Sequence, residues 1–176
     1  MNKIQKRISE VEKILKDLGL PEAQQNERSA LTLLALVDLK PTSNFTSVKQ
    51  KIMGVTPIMD WIKKHYKKPY APNSRETFRK FTLHQFVEGG IAIYNPDKPD
   101  RPTNSPKACY QISSEVVSLL KTHKTSEWKK GLKDWLKNKK TLTQKYSQAR
   151  DMSLVKAKLS DGTEFTLSPG KHNKLI

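Results

Sequence analysis

The sequence predicts a mainly α fold of the α+β kind: a winged helix-turn-helix core with flanking helices and a C-terminal β-hairpin. Three observations predict it. Apolar residues recur at helical spacing in four successive N-terminal segments. Two short strand-like runs, IAIYN and ACYQI, follow the fourth segment and are joined by PDKPDRPTNSPK, rich in Pro and turn formers. Further on, LVKAKL and EFTL flank SDGT, where Asp161-Gly162 is a strong hairpin-turn signal.

Taken in order, residues 3–18 place Ile4, Ile8, Val11, Ile14, Leu15 and Leu18 at helical spacing before Gly19 and Pro21 stop the run. Residues 25–39 contain ALTLLALVDL, apolar nearly all round and closed by Pro41, which predicts a buried central helix. In TPIMDWIKKHY, Thr56 is placed to cap and Pro57 suits the first turn, with Ile58, Trp61, Ile62 and Tyr66 on one face. The turn KKPYAP leads into a helix over 74–88. There Asn73 is expected as the N-cap, Glu76 reaches back as in a capping box, and Gly89-Gly90 ends the run. After the hairpin, Ser113 or Ser114 caps 113–121, and 126–138 places Trp128, Leu132, Trp135 and Leu136 on one face. A short segment, 142–150, precedes the second hairpin, and SPGKHNKLI resembles the entry to another helix.

These elements divide the chain into an N-terminal helix (1–22), a winged helix-turn-helix domain (23–122), Lys-rich connecting helices (123–150), and a hairpin with the start of a further domain (151–176). Lys and Arg exceed Asp and Glu by 33 − 17 = 16 in a chain of 176 residues. A soluble small domain needs a net charge of only about 2 to 8. The excess therefore points to a polyanion, with nucleic acid first and an anionic membrane surface second. Eight lysines lie between 121 and 140 against Glu127 and Asp134. No run approaches the roughly 18 apolar residues of a membrane span, and MNKIQKRISEVEK lacks a signal-peptide core. A cytoplasmic protein is expected. The single cysteine, Cys109, lies in an apolar run and reads as a small buried hydrophobe.

Winding 74–88 at 100° per residue puts Leu83, Phe86 and Val87 on one side, with Thr82 and Arg79 at its margins and Phe78 in the core. The opposite side carries Thr77, Lys80, Phe81 and His84, with Ser74 and Arg75 at the leading end, and Asn73 and Arg79 are expected at the DNA with them. A hydroxyl, an ammonium, an aromatic and an imidazole in one stripe fit a base-reading surface. Cations reach guanine acceptors, and an apolar group packs on the thymine methyl. On the loop between the strands, Lys98, Arg101, Asn104 and Lys107 are expected at the DNA backbone. The bland reading is a surface helix whose Phe81 packs on a neighbouring domain.

GVTPIMDWIKKHY, YAPNSRETFRKFTLHQFVEGGIAIYNPDKPDRPTNSPKACYQI and LSPGKHNKLI together resemble the N-terminal part of the BsuBI/PstI family of type II restriction endonucleases, from about Ala30 to Ile176. The resemblance implies a DNA-binding helix-turn-helix region followed by a metal-dependent nuclease domain. It also implies Mg2+ for the full enzyme, cleavage of a short palindrome (CTGCAG in the founding members), and with the palindrome a possible homodimer. The segment Asn73–Phe86 matches the family's RETFRR-type stretch. A polar residue, often Gln, is implied at the Phe81 position, and the departure there bears on whether that recognition sequence is shared. The nuclease strands are expected to follow SPGKHNKLI, so the sequence reads as a fragment of a longer enzyme or a protein without its nuclease.

Nothing in these residues predicts catalysis. PDKPD at 96–100 echoes a nuclease signature but lies in a loop, where carboxylates form turns, and Asp161 and Glu164 flank another turn. The histidines at 65, 84, 123 and 172 lack zinc spacing, and Ser168-Pro169-Gly170-Lys171 is not a complete phosphate loop. No catalytic residue, metal ligand or cofactor is expected in this chain. Two functions stay open: the DNA-binding part of a restriction endonuclease, or a stand-alone winged-helix regulator or methyladenine reader. A membrane-surface protein is a weaker third, because the apolar face of 126–138 is more simply core.

Overall fold

The computed structural model describes residues 2–139, together with the backbone of two strands at 155–158 and 164–167. The chain forms two compact units, Met1–Lys139 and Lys140–Ile176. The first is mostly helical with a small two-stranded antiparallel sheet.

Helix α1 (Lys3–Asp17) starts where the Asn2 side chain accepts from the Gln5 amide, and ends where Gly19 turns to φ +85°. Its stripe of Ile8, Val11, Ile14 and Leu15 is buried against α2 (Glu27–Leu36). All eight residues from Ser29 to Leu36 are buried, so α2 is the central helix that its all-round apolar sequence predicts. It is shorter than the expected 25–39, because Asn26 caps it and Asp38 enters the left-handed region at φ +54°.

Helix α3 (Val55–Tyr66) buries Ile58, Met59, Trp61, Ile62 and Tyr66. Its N-cap is Gly54 rather than Thr56, which lies inside the first turn with Pro57. Two side chains tie α3 to the end of α2. Trp61 Nε1 donates to Asp38 Oδ1 at 2.8 Å, and the Tyr66 hydroxyl donates to the Leu39 carbonyl at 2.7 Å. Lys67, at φ +56°, closes α3 in the left-handed conformation.

The next helical stretch, α4, is continuous but changes pitch: α-helix Arg75–Phe78, π-helix Arg79–Leu83, then α-helix Glu88-terminated from His84 (His84–Glu88). The amide of His84 reaches back five residues to the Arg79 carbonyl. A capping box at Asn73 and Glu76 does not form. Asn73 lies in the 3-10 turn Pro72–Ser74, the helix is capped by Ser74 without a side-chain bond, and Glu76 turns to Arg79 instead. Gly90, at φ +75°, then releases the chain into β1 (Ala92–Tyr94).

β1 pairs antiparallel with β2 (Tyr110–Ile112) in the register Ala92↔Ile112, Ile93↔Gln111, Tyr94↔Tyr110. Met53, just before α3, adds a bridge on the other side of β2 through two backbone hydrogen bonds with Tyr110. Helix α5 (Ser114–Lys121) starts at Ser113, whose hydroxyl accepts from the Val116 amide. Helix α6 covers 128–139. Its Trp135 is buried, Trp128 and Leu132 are half-buried, and Leu136 is exposed. Trp135 Nε1 and Lys139 Nζ both donate to the Leu18 carbonyl, at 3.4 and 2.9 Å, and so satisfy the C-terminal end of α1. One apolar core contains side chains from α1 through Trp135.

In the second unit, β3 (Val155–Lys158) pairs antiparallel with β4 (Glu164–Leu167), from Val155↔Leu167 to Lys158↔Glu164. The hairpin expected from LVKAKL and EFTL thus forms. Its turn at Asp161-Gly162, the expected segment 142–150 and the tail 168–176 lie outside the described residues.

Candidate nucleic-acid interface

The inner side of α4 is fixed by packing. Phe78, Leu83 and Phe86 are completely buried, and Tyr70 stands edge-on to Phe78 at 4.9 Å between ring centroids. Thr82, expected at a margin, is also completely buried, and Val87, expected inside, is only half-buried. A uniform 100° winding misplaces these two because the wider π turn shifts the phase in mid-helix. Burial of Thr82 needs a partner for its hydroxyl. Arg28 of α2 supplies one, its Nε donating to Thr82 Oγ1 at 2.9 Å.

The outer side is the stripe the sequence indicates. Arg75, Lys80, Phe81 and His84 are exposed, and Ser74 and Thr77 are partly so. Phe81 keeps 49% of its surface in solvent, and the Lys80 ammonium lies 5.5 Å from its ring centre. An exposed phenylalanine with a cation over its face is apolar surface held next to positive charge. Asn73 is exposed in the turn that precedes the helix.

Arg79 sits between the two sides. Its Nε donates to Glu76 Oε2 at 3.0 Å, and its NH2 group makes the second half of a bidentate pair with Glu76 Oε1. Its NH1 group lies 3.2 Å from His84 Nε2. The hydrogen bond from Arg79 holds the Glu76 carboxyl below its usual range, and Glu76 raises the guanidinium in return. Partial desolvation, and then the charge of Arg79, push His84 below its ordinary value. Glu76 was expected as a cap; the 76–79 spacing of acid and arginine three apart was the signal for this pair.

The loop between β1 and β2 is built around a side chain expected to reach DNA. Arg101 is only 9% exposed. Its guanidinium donates to both carboxylate oxygens of Asp97, at 3.0 and 2.8 Å, and to Asn95 Oδ1 at 3.1 Å. Asn95, completely buried at φ +48°, also accepts from the Cys109 amide at 3.0 Å. The Cys109 thiol reaches Asp97 Oδ1 at 3.1 Å and lies 3.4 Å from Arg101 NH1. Cys109 is therefore buried, as expected, but polar-bonded rather than a plain hydrophobe. The bond from Arg101 holds Asp97 well below the usual carboxylate range. Arg101 thus clamps the base of the loop, whereas Lys98, Asn104 and Lys107 extend from it into solvent.

Among the described residues, no three His, Cys, Asp or Glu side chains converge as a metal site would need. The described carboxylates do not fit the divalent-metal centre of a nuclease. No described helix is long and apolar enough to cross a membrane.

Residues 5–144 match the family described as the BsuBI/PstI restriction endonuclease HTH domain. Over 169 residues the chain is 48% identical to the type II restriction enzyme BsuBI of Bacillus subtilis, covering 96% of this chain and 54% of that enzyme. It is 35% identical over 167 residues to the type II restriction enzyme AplI of Arthrospira platensis, covering 95% and 51%. The structure of SdaI restriction endonuclease superimposes with a TM-score of 0.73 at 37% identity, covering 96% of this chain and 53% of that one. The chain spans about half the length of these relatives. With a family match over most of its length, this chain belongs to the BsuBI/PstI restriction endonuclease HTH-domain family.

Proposed function

We propose that residues 23–122 act as a winged helix-turn-helix that binds double-stranded DNA, and that the chain is the DNA-binding part of a type II restriction endonuclease. The observation that carries this reading is the division of α4. Phe78, Leu83 and Phe86 are locked in the core, while Arg75, Lys80, Phe81 and His84 stay in solvent on a protein of net charge +16. Helix α3 packs on the start of α4, and the end of α4 packs on β1, so the exposed stripe stands on a rigid base.

In this reading α4 enters the major groove, with Arg75 at its leading end and Lys80, Phe81 and His84 along it. Lys98, Asn104 and Lys107 meet the backbone beside it, and Arg101 holds their loop in shape. The relatives are named as type II restriction enzymes. Cleavage of a short palindrome, CTGCAG-like by resemblance, with Mg2+ and two copies on the site, is the corresponding proposal for the whole enzyme. A second reading, a methylated-base reader, is favoured by the half-exposed Phe81, whose ring fits a methyl group better than a polar edge.

Selection of bound duplexes from a random pool, with and without adenine methylation, tests both. A single enriched motif supports specific recognition. Enrichment only in the methylated pool supports the second reading, and no enrichment in either contradicts both.

A further inference from the structure

Arginine can only donate hydrogen bonds, so any nitrogen it bonds to must carry a lone pair. Arg79 NH1 lies 3.2 Å from His84 Nε2. The imidazole is then neutral with its proton on Nδ1, because the partner of one ring nitrogen decides the tautomer of the other. Both oxygens of Glu76 bond its Nε and NH2 groups, which orients the remaining NH1 group toward His84.

We propose that Glu76, Arg79 and His84 form one hydrogen-bonded relay along α4 that fixes His84 as the Nδ1–H tautomer, so that the helix offers a donor there to an acceptor on a base edge. The inference rests on the reading of α4 as the base-contacting helix. The fitting partner is a major-groove acceptor: guanine O6 or N7, adenine N7 or thymine O4. The amino groups of cytosine and adenine offer donors and are rejected, since two donors cannot pair. Glu76 is a positioning residue in this scheme: it touches no base, and acts through Arg79.

The π turn supplies the geometry. Arg79 opens it and His84 follows it, and the bond from the His84 amide to the Arg79 carbonyl spans five residues. In an α-helix, positions five apart diverge around the axis, whereas a π turn brings them closer to alignment. The charged groups acting on His84 are Arg79, Glu88 and Glu76, and Arg79 also feels Tyr94 and Tyr110 of the hairpin. Desolvation and Arg79 outweigh the two carboxylates, which keeps the imidazole neutral near pH 7.

The test is a two-bond 1H–15N histidine spectrum of the full chain at pH 7.5, with His84→Gln assigning the signal by its loss. The expected result is a protonated Nδ1 and an unprotonated Nε2 for His84 in the free protein. Glu76→Ala should move the signal toward the opposite tautomer, and Glu76→Gln, which keeps one acceptor oxygen, should restore part of it. In duplex selection, Glu76→Ala should lose about tenfold discrimination at one base position while its salt dependence stays that of the parent. An Nε2–H tautomer in the parent, or an unchanged spectrum in Glu76→Ala, would overturn the relay. An Nδ1–H signal in a chain with no duplex preference would overturn the base-reading half alone.

Discussion

Phe81 and Phe86 lie five positions apart on one helix yet have opposite surroundings, which turns the phase of α4 into a measurable difference. Phe86 has no exposed surface and belongs to the main core cluster. Truncating a fully buried phenylalanine removes its transfer free energy and leaves a cavity, so Phe86→Ala should cost about 3–5 kcal/mol. Phe81 keeps 49% of its surface in solvent. Complete burial of such a side chain is worth roughly 1.5–3 kcal/mol, so half-burial limits the cost of Phe81→Gln to about 1 kcal/mol. Urea unfolding followed by circular dichroism on the full chain checks this through the midpoint at constant slope. If Phe81→Gln shifts the midpoint as far as Phe86→Ala does, the helix is rotated from this assignment and the reading stripe must be redrawn.

Binding to duplex DNA should weaken steeply with salt, because each phosphate neutralised contributes a slope of about −0.9 in log K against log salt. A change under about threefold between 50 and 200 mM would contradict an electrostatic interface. Removing charge from both Lys98 and Lys107 should weaken all sequences alike in a filter-binding or anisotropy assay. Arg101→Ala should instead loosen the β1–β2 loop, seen as faster amide exchange at Asn95 and Cys109, since its partners are Asp97, Asn95 and Cys109. Stability should fall on acidification from pH 6.5 to 5.5. Desolvation in the folded chain holds His65, His84 and His123 below their ordinary value of 6.5, with the charge of Arg79 adding to it at the exposed His84, so the unfolded chain takes up protons first. That contribution is complete above pH 6.5 and is lost as pH falls toward the folded values; an unfolding midpoint that is flat across this window would contradict it.

Much of this fold was legible because binary patterning and punctuation agreed. The all-round apolar ALTLLALVDL became a fully buried helix, Gly89-Gly90 ended α4, and the two Pro-separated runs paired as a hairpin. The exposed stripe at Lys80, Phe81 and His84 was legible for the same reason. What escaped was set by tertiary partners. Thr82 is buried because Arg28, 54 residues away, satisfies its hydroxyl. Arg101 reads as a free cation in sequence but is held by Asp97 and Asn95, and the left-handed turn at Asn95 that builds this cage has only a weak signal. The change of pitch in α4 had no sequence signal at all, since helical winding assumes one period throughout.

In the proposed interface α4 reads bases and the β1–β2 loop holds the DNA backbone. Quantitative duplex selection on the parent chain and on Arg75→Ala and Lys80→Ala tests it most directly. Each variant should lose roughly 1–3 kcal/mol on the preferred site and relax choice at one base position, with non-specific affinity nearly unchanged. Variants that keep the parent motif and lose affinity equally on every sequence would contradict the assignment of α4 as the reading helix.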